Sequence, residues 1–191
     1  MSPLEIKLYL AGPEVFLPNA VEHAKMQRTL CEQYGFMGLH PMDNNIDVTD
    51  TSYATAIKIY GGDIKQIHAC DIVVANCNQF RGALMDDGTA YDLGFANALE
   101  KPSYGYCSTH YSYNKKILNY GLGRVSRSSG KYCVDMDAQG YSIREDFGTF
   151  VNLMMQCGMT EHGGRLIIGS FEDCLKAVRE DIDTKVLVLK K

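Results

Sequence analysis

The sequence predicts an α/β protein: a single doubly wound, five-stranded parallel sheet of flavodoxin-like order 2-1-3-4-5. Three observations predict it. Short apolar runs alternate with longer stretches of helical periodicity. The run Ile72-Val73-Val74 is apolar at successive positions, as in a strand covered on both faces. Glycine, proline and asparagine punctuate the boundaries between them. At 191 residues, the chain suits one domain, 1–191, with a sizeable core.

Residues 6–11 read as the first strand, stopped by Gly12-Pro13. A helix over 19–34 follows, with Ala20, Ala24, Met26, Leu30 and Cys31 near helical spacing and Gly35 as its C-terminal cap. Residues 36–40 give a second strand closed by Pro41. The loop 43–52, opening on Asp43, is rich in Asn and Asp, and loops of this chemistry often carry ligands. The second helix runs over 55–69, with Gly61-Gly62 as a point of interruption and Ile57, Ile64 and Ile67 turned inward. A third strand over 71–75, a Gly- and Asp-rich loop over 76–89, a helix over 90–99 and a fourth strand over 103–107 come next. Residues 111–148 read as an irregular excursion with local helix at 114–120. A helix over 150–157, a strand over 166–168 and a helix over 171–183 complete the domain. The tail 186–191 reads as an edge strand or a partner-binding extension.

Several function classes fall away. The net charge of −4 is spread without a basic stripe, which argues against polymeric nucleic acid. The seven cysteines are odd in number and contain no C-x-x-C pair, so they read as reduced core-fillers. No leader-like or membrane-spanning run is present, giving an expected cytoplasmic location and no membrane partner. The five histidines are scattered and no H-E-x-x-H occurs, so no metal is expected. Gly121-Leu122-Gly123 begins a dinucleotide-type pattern but follows helix rather than strand, and reads as a loop. No cofactor is expected.

In a sheet of this order, ligands bind where the strand order reverses, between the first and third strands. That sets Tyr9, Gly12 and Phe16 opposite Asn76, Phe80 and Arg81. Asp86 and Asp92 lie at the start and first turns of a helix, where the dipole favours anions. Asp86 or Asp87 also suits a helix cap. Asp92 sits among Ala90, Leu93, Gly94, Phe95 and Ala96, where a carboxylate costs stability unless paired or functional; a solvent-facing Asp is the plain alternative. Asp63, on its own, reads as part of a solvated helix face. Tyr111, Tyr113 and Tyr120 suit stacking on a base or ordinary packing.

Four segments, in order, carry a resemblance: Tyr9-Leu10-Ala11-Gly12-Pro13-Glu14-Val15-Phe16, Phe80-Arg81-Gly82, Asp86-Asp87-Gly88-Thr89-Ala90-Tyr91-Asp92-Leu93-Gly94, and Phe147-Gly148 followed by Asn152-Leu153-Met154. Together they resemble the nucleoside 2-deoxyribosyltransferase family over about residues 5–182. The resemblance implies a retaining double displacement, with a sugar ester formed on a carboxylate and passed to a second base. It makes Asp92 the nucleophile, Asp63 the residue that manages the base proton, and Tyr9 the partner of the nucleophile. Gly12, Phe16, Asp43, Phe80, Asp86, Asn152 and Met154 fall at substrate-binding positions. It also implies a homo-oligomer with shared sites, Asn152 being supplied by a neighbouring subunit, and deoxynucleoside and free nucleobase as partners. The family usually has Glu where this chain has Asp92.

The alternatives are hydrolysis of deoxynucleosides or their 5′-monophosphates, and a non-catalytic nucleoside sensor. Glu14 in the first loop, expected to repel phosphate, favours nucleosides.

Overall fold

The structure, a computed structural model, describes residues 6–44, 46–47, 49–120, 125–129, 132–137, 139–143 and 146–189. Seven strands are present among them: β1 (Ile6–Ala11), β2 (Phe36–Leu39), β3 (Ile72–Asn76), β4 (Ser103–Cys107), β5 (Val125–Ser129), β6 (Tyr132–Met136) and β7 (Leu166–Ile168). Five form one parallel sheet in the order β2-β1-β3-β4-β7, which is the expected 2-1-3-4-5 arrangement.

The pleat of the strands sorts their side chains to two cores. Leu8, Leu10, Ile72, Val74, Tyr104 and Tyr106 pack on one face with α1 (Ala20–Gln33) and α6 (Phe171–Asp183). Tyr9, Ala11, Val73, Ala75 and Cys107 pack on the other, beneath α2 (Tyr53–Ala69), α3 (Asp87–Ala98) and α5 (Leu153–Glu161). Cys31, Cys70, Cys77, Cys107 and Cys174 are buried free thiols, while Cys157 is exposed.

Helix boundaries follow local chemistry. In α1, the buried positions are Ala20, Ala24, Gln27 and Cys31, so the inward stripe passes through a glutamine and leaves Met26 exposed. Gly35, at φ 76°, ends that helix in the left-handed conformation. Helix α2 runs without interruption through Gly61-Gly62, although a glycine in a helix interior costs about 1 kcal/mol relative to alanine. Ile67 faces the core as expected, but Ile57 is 55% exposed. Helix α3 begins at Asp87, before the expected 90, because Asp86 caps it: its Oδ2 accepts from the Thr89 backbone N–H and hydroxyl, both at 2.8 Å. Helix α5 begins at Leu153 rather than 150, with the Asn152 side chain accepting from the Met154 N–H at 3.0 Å.

The excursion 111–148 holds more order than its composition suggests. It contains α4 (Tyr113–Asn119) and an antiparallel hairpin of β5 and β6, paired from Val125↔Met136 to Ser129↔Tyr132. The run Val-Ser-Arg-Ser-Ser has no apolar alternation, so periodicity could not reveal that strand. The Gly121-Leu122-Gly123 pattern lies outside the described residues. In the tail, the described residues 186–189 add no strand; Leu187 is buried on the α1/α6 side, and its N–H donates to the Asp181 carbonyl at 2.8 Å. Nearby, the buried Asp181 carboxylate accepts from the Tyr104 hydroxyl at 2.9 Å and from two Arg165 nitrogens at 2.9 and 3.0 Å. Among the described residues, no helix is long and apolar enough to cross a membrane.

Candidate active site

The strand order reverses between β1 and β3, the place where sheets of this order bind ligands beyond the carboxyl ends of their strands, and several of the expected residues lie there. Phe16 and Phe80 stack with ring centroids 5.4 Å apart. The Arg81 guanidinium lies 4.8 Å from the first ring centre and 4.6 Å from the second. Arg81 itself takes φ 48°, a left-handed conformation that is unusual for a residue with a side chain.

Tyr9 is wholly buried on the α2/α3 side of β1, and its hydroxyl donates to Asp92 Oδ2 at 3.3 Å. Burial, then the charges of Asp92 and Asp63, hold that hydroxyl far above its ordinary titration range, so Tyr9 acts as a donor and not a base. Asp63 projects from α2 and accepts from Asn44 Nδ2 at 2.9 Å. Burial lifts its pKa to about 6, and the Asn44 hydrogen bond pulls the other way. Asp92 is pushed up to about 7, first by burial and then by the Asp63 charge. The Tyr9 hydrogen bond opposes that rise, and Asp86 adds to it. Each carboxylate resists ionisation while the other is charged, so the pair titrates as a unit and holds about one proton near neutrality. A site with one ionised and one protonated carboxyl can supply a nucleophile and an acid together.

The remaining expected residues divide. Asp86 is buried as the cap of α3, with both of its hydrogen bonds on Oδ2. Gly12 leaves the room that Glu14 needs: a Cβ there would lie 2.0 Å from Glu14 Oε2 and 3.0 Å from the Asn76 side chain. Asp43 is committed to the local fold, pairing with Arg28 and accepting from the His40 N–H at 2.9 Å. Asn152 and Met154 open α5, where Met154 is 70% exposed. Tyr111 and Tyr120 are exposed and make no ring contact with each other; Tyr111 lies under Lys115.

Glu14 behaves differently from expectation. Its Oε1 accepts from Asn76 Nδ2 at 2.7 Å, from the Tyr106 hydroxyl at 2.8 Å and from Gln27 Nε2 at 3.5 Å. Tyr106 belongs to the α1/α6 core, so these bonds draw the carboxylate toward that side of the sheet. Its position in the loop therefore does not translate into a bare charge facing a ligand.

Sequence reasoning missed three residues. Asn44 and Gln66 form a chain of amides leading to Asp63, and the mid-helix glycine pair was its one visible trace. Lys116 is 3% exposed, and its ammonium donates to the Phe150 carbonyl at 2.8 Å, anchoring the turn that leads to Asn152. A lysine in a short polar helix carries no signal of burial. Among the described residues, no group of three or more His, Cys, Asp or Glu could hold a metal ion.

Two neighbouring carboxyls and a stacked aromatic pair, set where the strand order of a doubly wound sheet reverses, place the chain in the α/β class. The family model described as nucleoside 2-deoxyribosyltransferase matches residues 8–154, and the chain belongs to that family. The 2-deoxyribosyltransferase of Leishmania mexicana is similar in structure, with a TM-score of 0.64 and 26% identity over 92% of this chain and 97% of that one. That of Bacillus psychrosaccharolyticus shares the fold, with a TM-score of 0.56 and 18% identity over 97% and 98% of the two chains. An uncharacterised protein of Schizosaccharomyces pombe is 34% identical over 116 residues, 59% of this chain; the match spans 55% of the length of that relative.

Proposed function

We propose that the protein transfers 2-deoxyribose between nucleobases through a covalent sugar ester on Asp92. The observation that carries the reading is the Tyr9–Asp92 hydrogen bond set against Asp63, which joins an oriented carboxylate to a second one able to hold a proton. The Tyr9 hydroxyl occupies Oδ2, leaving Oδ1 to attack C1′ of the sugar. As the C1′–N bond breaks, its electron pair goes to the base and the Asp63 proton moves to a base nitrogen. An incoming base then attacks C1′, returns a proton to Asp63 and releases Asp92.

Asp86, at the first turn of α3, is assigned to the sugar hydroxyls, and Phe16 and Phe80 to the apolar wall beside the ligand. Gly12 sets the floor of the first loop, while Asp43 serves the ligand through the turn it holds. Asn152 and Met154 are assigned to the active site of a neighbouring copy, which the half-buried cap position of Asn152 and the exposed side chain of Met154 at the head of α5 suit. The protein thus works as a homo-oligomer.

Asp is one methylene shorter than the Glu usual in the family. Misplacement of about 1 Å can cost about a hundredfold in rate, so the balance between transfer and hydrolysis is the sensitive property of this site. A second reading, hydrolysis of 5′-monophosphates, is favoured by the withdrawal of Glu14 into its hydrogen bonds and by the exposed Arg81 beside Phe16.

The test is incubation of a deoxynucleoside, or its 5′-monophosphate, with a different free base. A new nucleoside supports transfer, and free sugar or sugar phosphate supports hydrolysis. Binding without turnover makes the protein a sensor. A slow 2-fluoro substrate should leave an ester on Asp92 detectable by mass, and full activity in Asp92→Ala would sink the assignment.

A further inference from the structure

We propose that Asn44 is the positioning residue for Asp63: held by Gln66 in the space left by Gly62, it fixes one oxygen of the carboxyl group and leaves the transferable proton on the other. This rests on the reading of Asp63 as the proton donor to the base.

The argument starts from a backbone atom. The His40 carbonyl can only accept, so Gln66 must turn its NH2 group toward it, at 3.1 Å. The same nitrogen donates to Asn44 Oδ1 at 3.0 Å, which fixes the orientation of the second amide. Asn44 must then present its own NH2 group to Asp63 Oδ1, 2.9 Å away. Each step leaves one orientation for the next. Because Oδ1 accepts, the acidic proton resides on Oδ2.

The turn carrying Asn44 is itself restrained. Asp43 accepts from the His40 N–H and pairs with Arg28, and its own N–H donates to the His40 carbonyl at 2.8 Å. Across the contact, a Cβ on Gly62 would lie 2.6 Å from the Asn44 side-chain amide. A glycine pair inside a long helix weakens it, and here one of the two makes room for the amide.

The chemistry of the donor matters. Asp63 faces Tyr9 from β1 and Asp92 from α3, with Asp86 behind Asp92; the groups that perturb this cluster are otherwise neutral. A lysine or arginine in place of Asn44 would hold Asp63 ionised and remove its proton. A neutral amide orients the carboxyl group and leaves it able to act as an acid.

Three variants test the proposal: Asn44→Ala, Gly62→Ala and the double variant. Two readouts are needed, titration of the Asp63 carboxyl carbon by NMR in the free enzyme and the pH profile of kcat/KM. The rates compare an ordinary purine deoxynucleoside with its 7-methylated form, whose base departs without a proton. Losing the hydrogen bond removes support for the charged form, so in either single variant Asp63 should titrate about one pH unit higher and the pH profile of the coupled pair should move upward with it. The ordinary substrate should slow by about tenfold or more, and the methylated one by less than about twofold. The double variant should be no worse than Asn44→Ala, since the space at Gly62 then has no occupant to protect.

Gly62→Ala with wild-type rates and titration would overturn the proposal, as would equal slowing of both substrates with an unmoved Asp63. Asp63→Asn separates the two levels: equal slowing of both substrates there would refute Asp63 as donor, while the NMR titration would still decide whether Asn44 holds it.

Discussion

Replacing Asp63 by asparagine removes an acid without removing a side chain of similar shape, and its effect on the pH profile can be worked out from the site. With Asp63 near 6 and Asp92 near 7, the single proton of the half-ionised pair rests mainly on Asp92, and the active form is the minor tautomer in which it has moved to Asp63. The population of that tautomer follows that of the singly protonated pair, so kcat/KM rises through about 6 and falls through about 7. The separation of about one pH unit corresponds to about 1.4 kcal/mol between the two ionisations. Below the first limb, Asp92 carries a proton and cannot attack. Above the second, no proton is left for the departing base. At pH 8, the wild type should therefore run about sevenfold below its optimum.

In Asp63→Asn, one ionisable carboxyl remains and feels no neighbouring Asp63 charge, so the acid limb should stay near 6 and the alkaline limb should vanish. The plateau should fall by about a hundredfold, a usual contribution of general acid catalysis. The assay is base exchange between deoxynucleoside and free base, followed by chromatography from pH 4.5 to 9. An alkaline limb that persists near 7, or a plateau within a few-fold of the wild type, would refute the division of roles.

Tyr9→Phe should lower kcat by about tenfold and move the acid limb to higher pH, because the hydrogen bond that favours ionised Asp92 is lost while the ring still fills its place; an unmoved limb would count against it. Asp92→Asn should raise Tm at pH 8 and much less at pH 5, by calorimetry. Asp92 has a folded-state pKa raised from 3.8 to about 7, so the stability tied to its proton is present below about 4 and lost as the pH rises through 7. A variant no more stable than the wild type at pH 8 would contradict that burial cost. Asp181→Ala should cost about 2–3 kcal/mol in denaturant unfolding, since it strips the Tyr104 hydroxyl and Arg165 of their shared acceptor, yet leave both pH limbs in place.

The sheet order was legible because each buried strand announces itself by an apolar run and each crossover by a helix with its own punctuation. Asp92 was legible as an oddity among Ala90, Leu93 and Ala96, and the cap role of Asp86 was one of two candidates that coordinates could separate. The hairpin of β5 and β6 was not, since the sequence of its first strand is a polar run without apolar alternation. Glu14 illustrates a different limit. The direction of its carboxylate is decided by Tyr106, separated from it by 92 positions, and no local reading of the first loop contains that fact. Asn44 was hidden for a related reason: its charged neighbour Asp43 drew the assignment, while the role of an amide depends on which distant groups orient it.

Tyr9 and Tyr106 lie on opposite faces of the sheet, and each hydroxyl reaches one carboxylate, Asp92 in the first case and Glu14 in the second. The backbone layer between them keeps two acidic subsystems apart. In the proposed reaction, changes around Glu14, Asn76 and Gln27 should therefore alter the first loop while the carboxyls of Asp63 and Asp92 stay on the far side. Substrate choice and acid–base poise become separately mutable traits, which is a route by which one scaffold can acquire new ligands without rebuilding its chemistry.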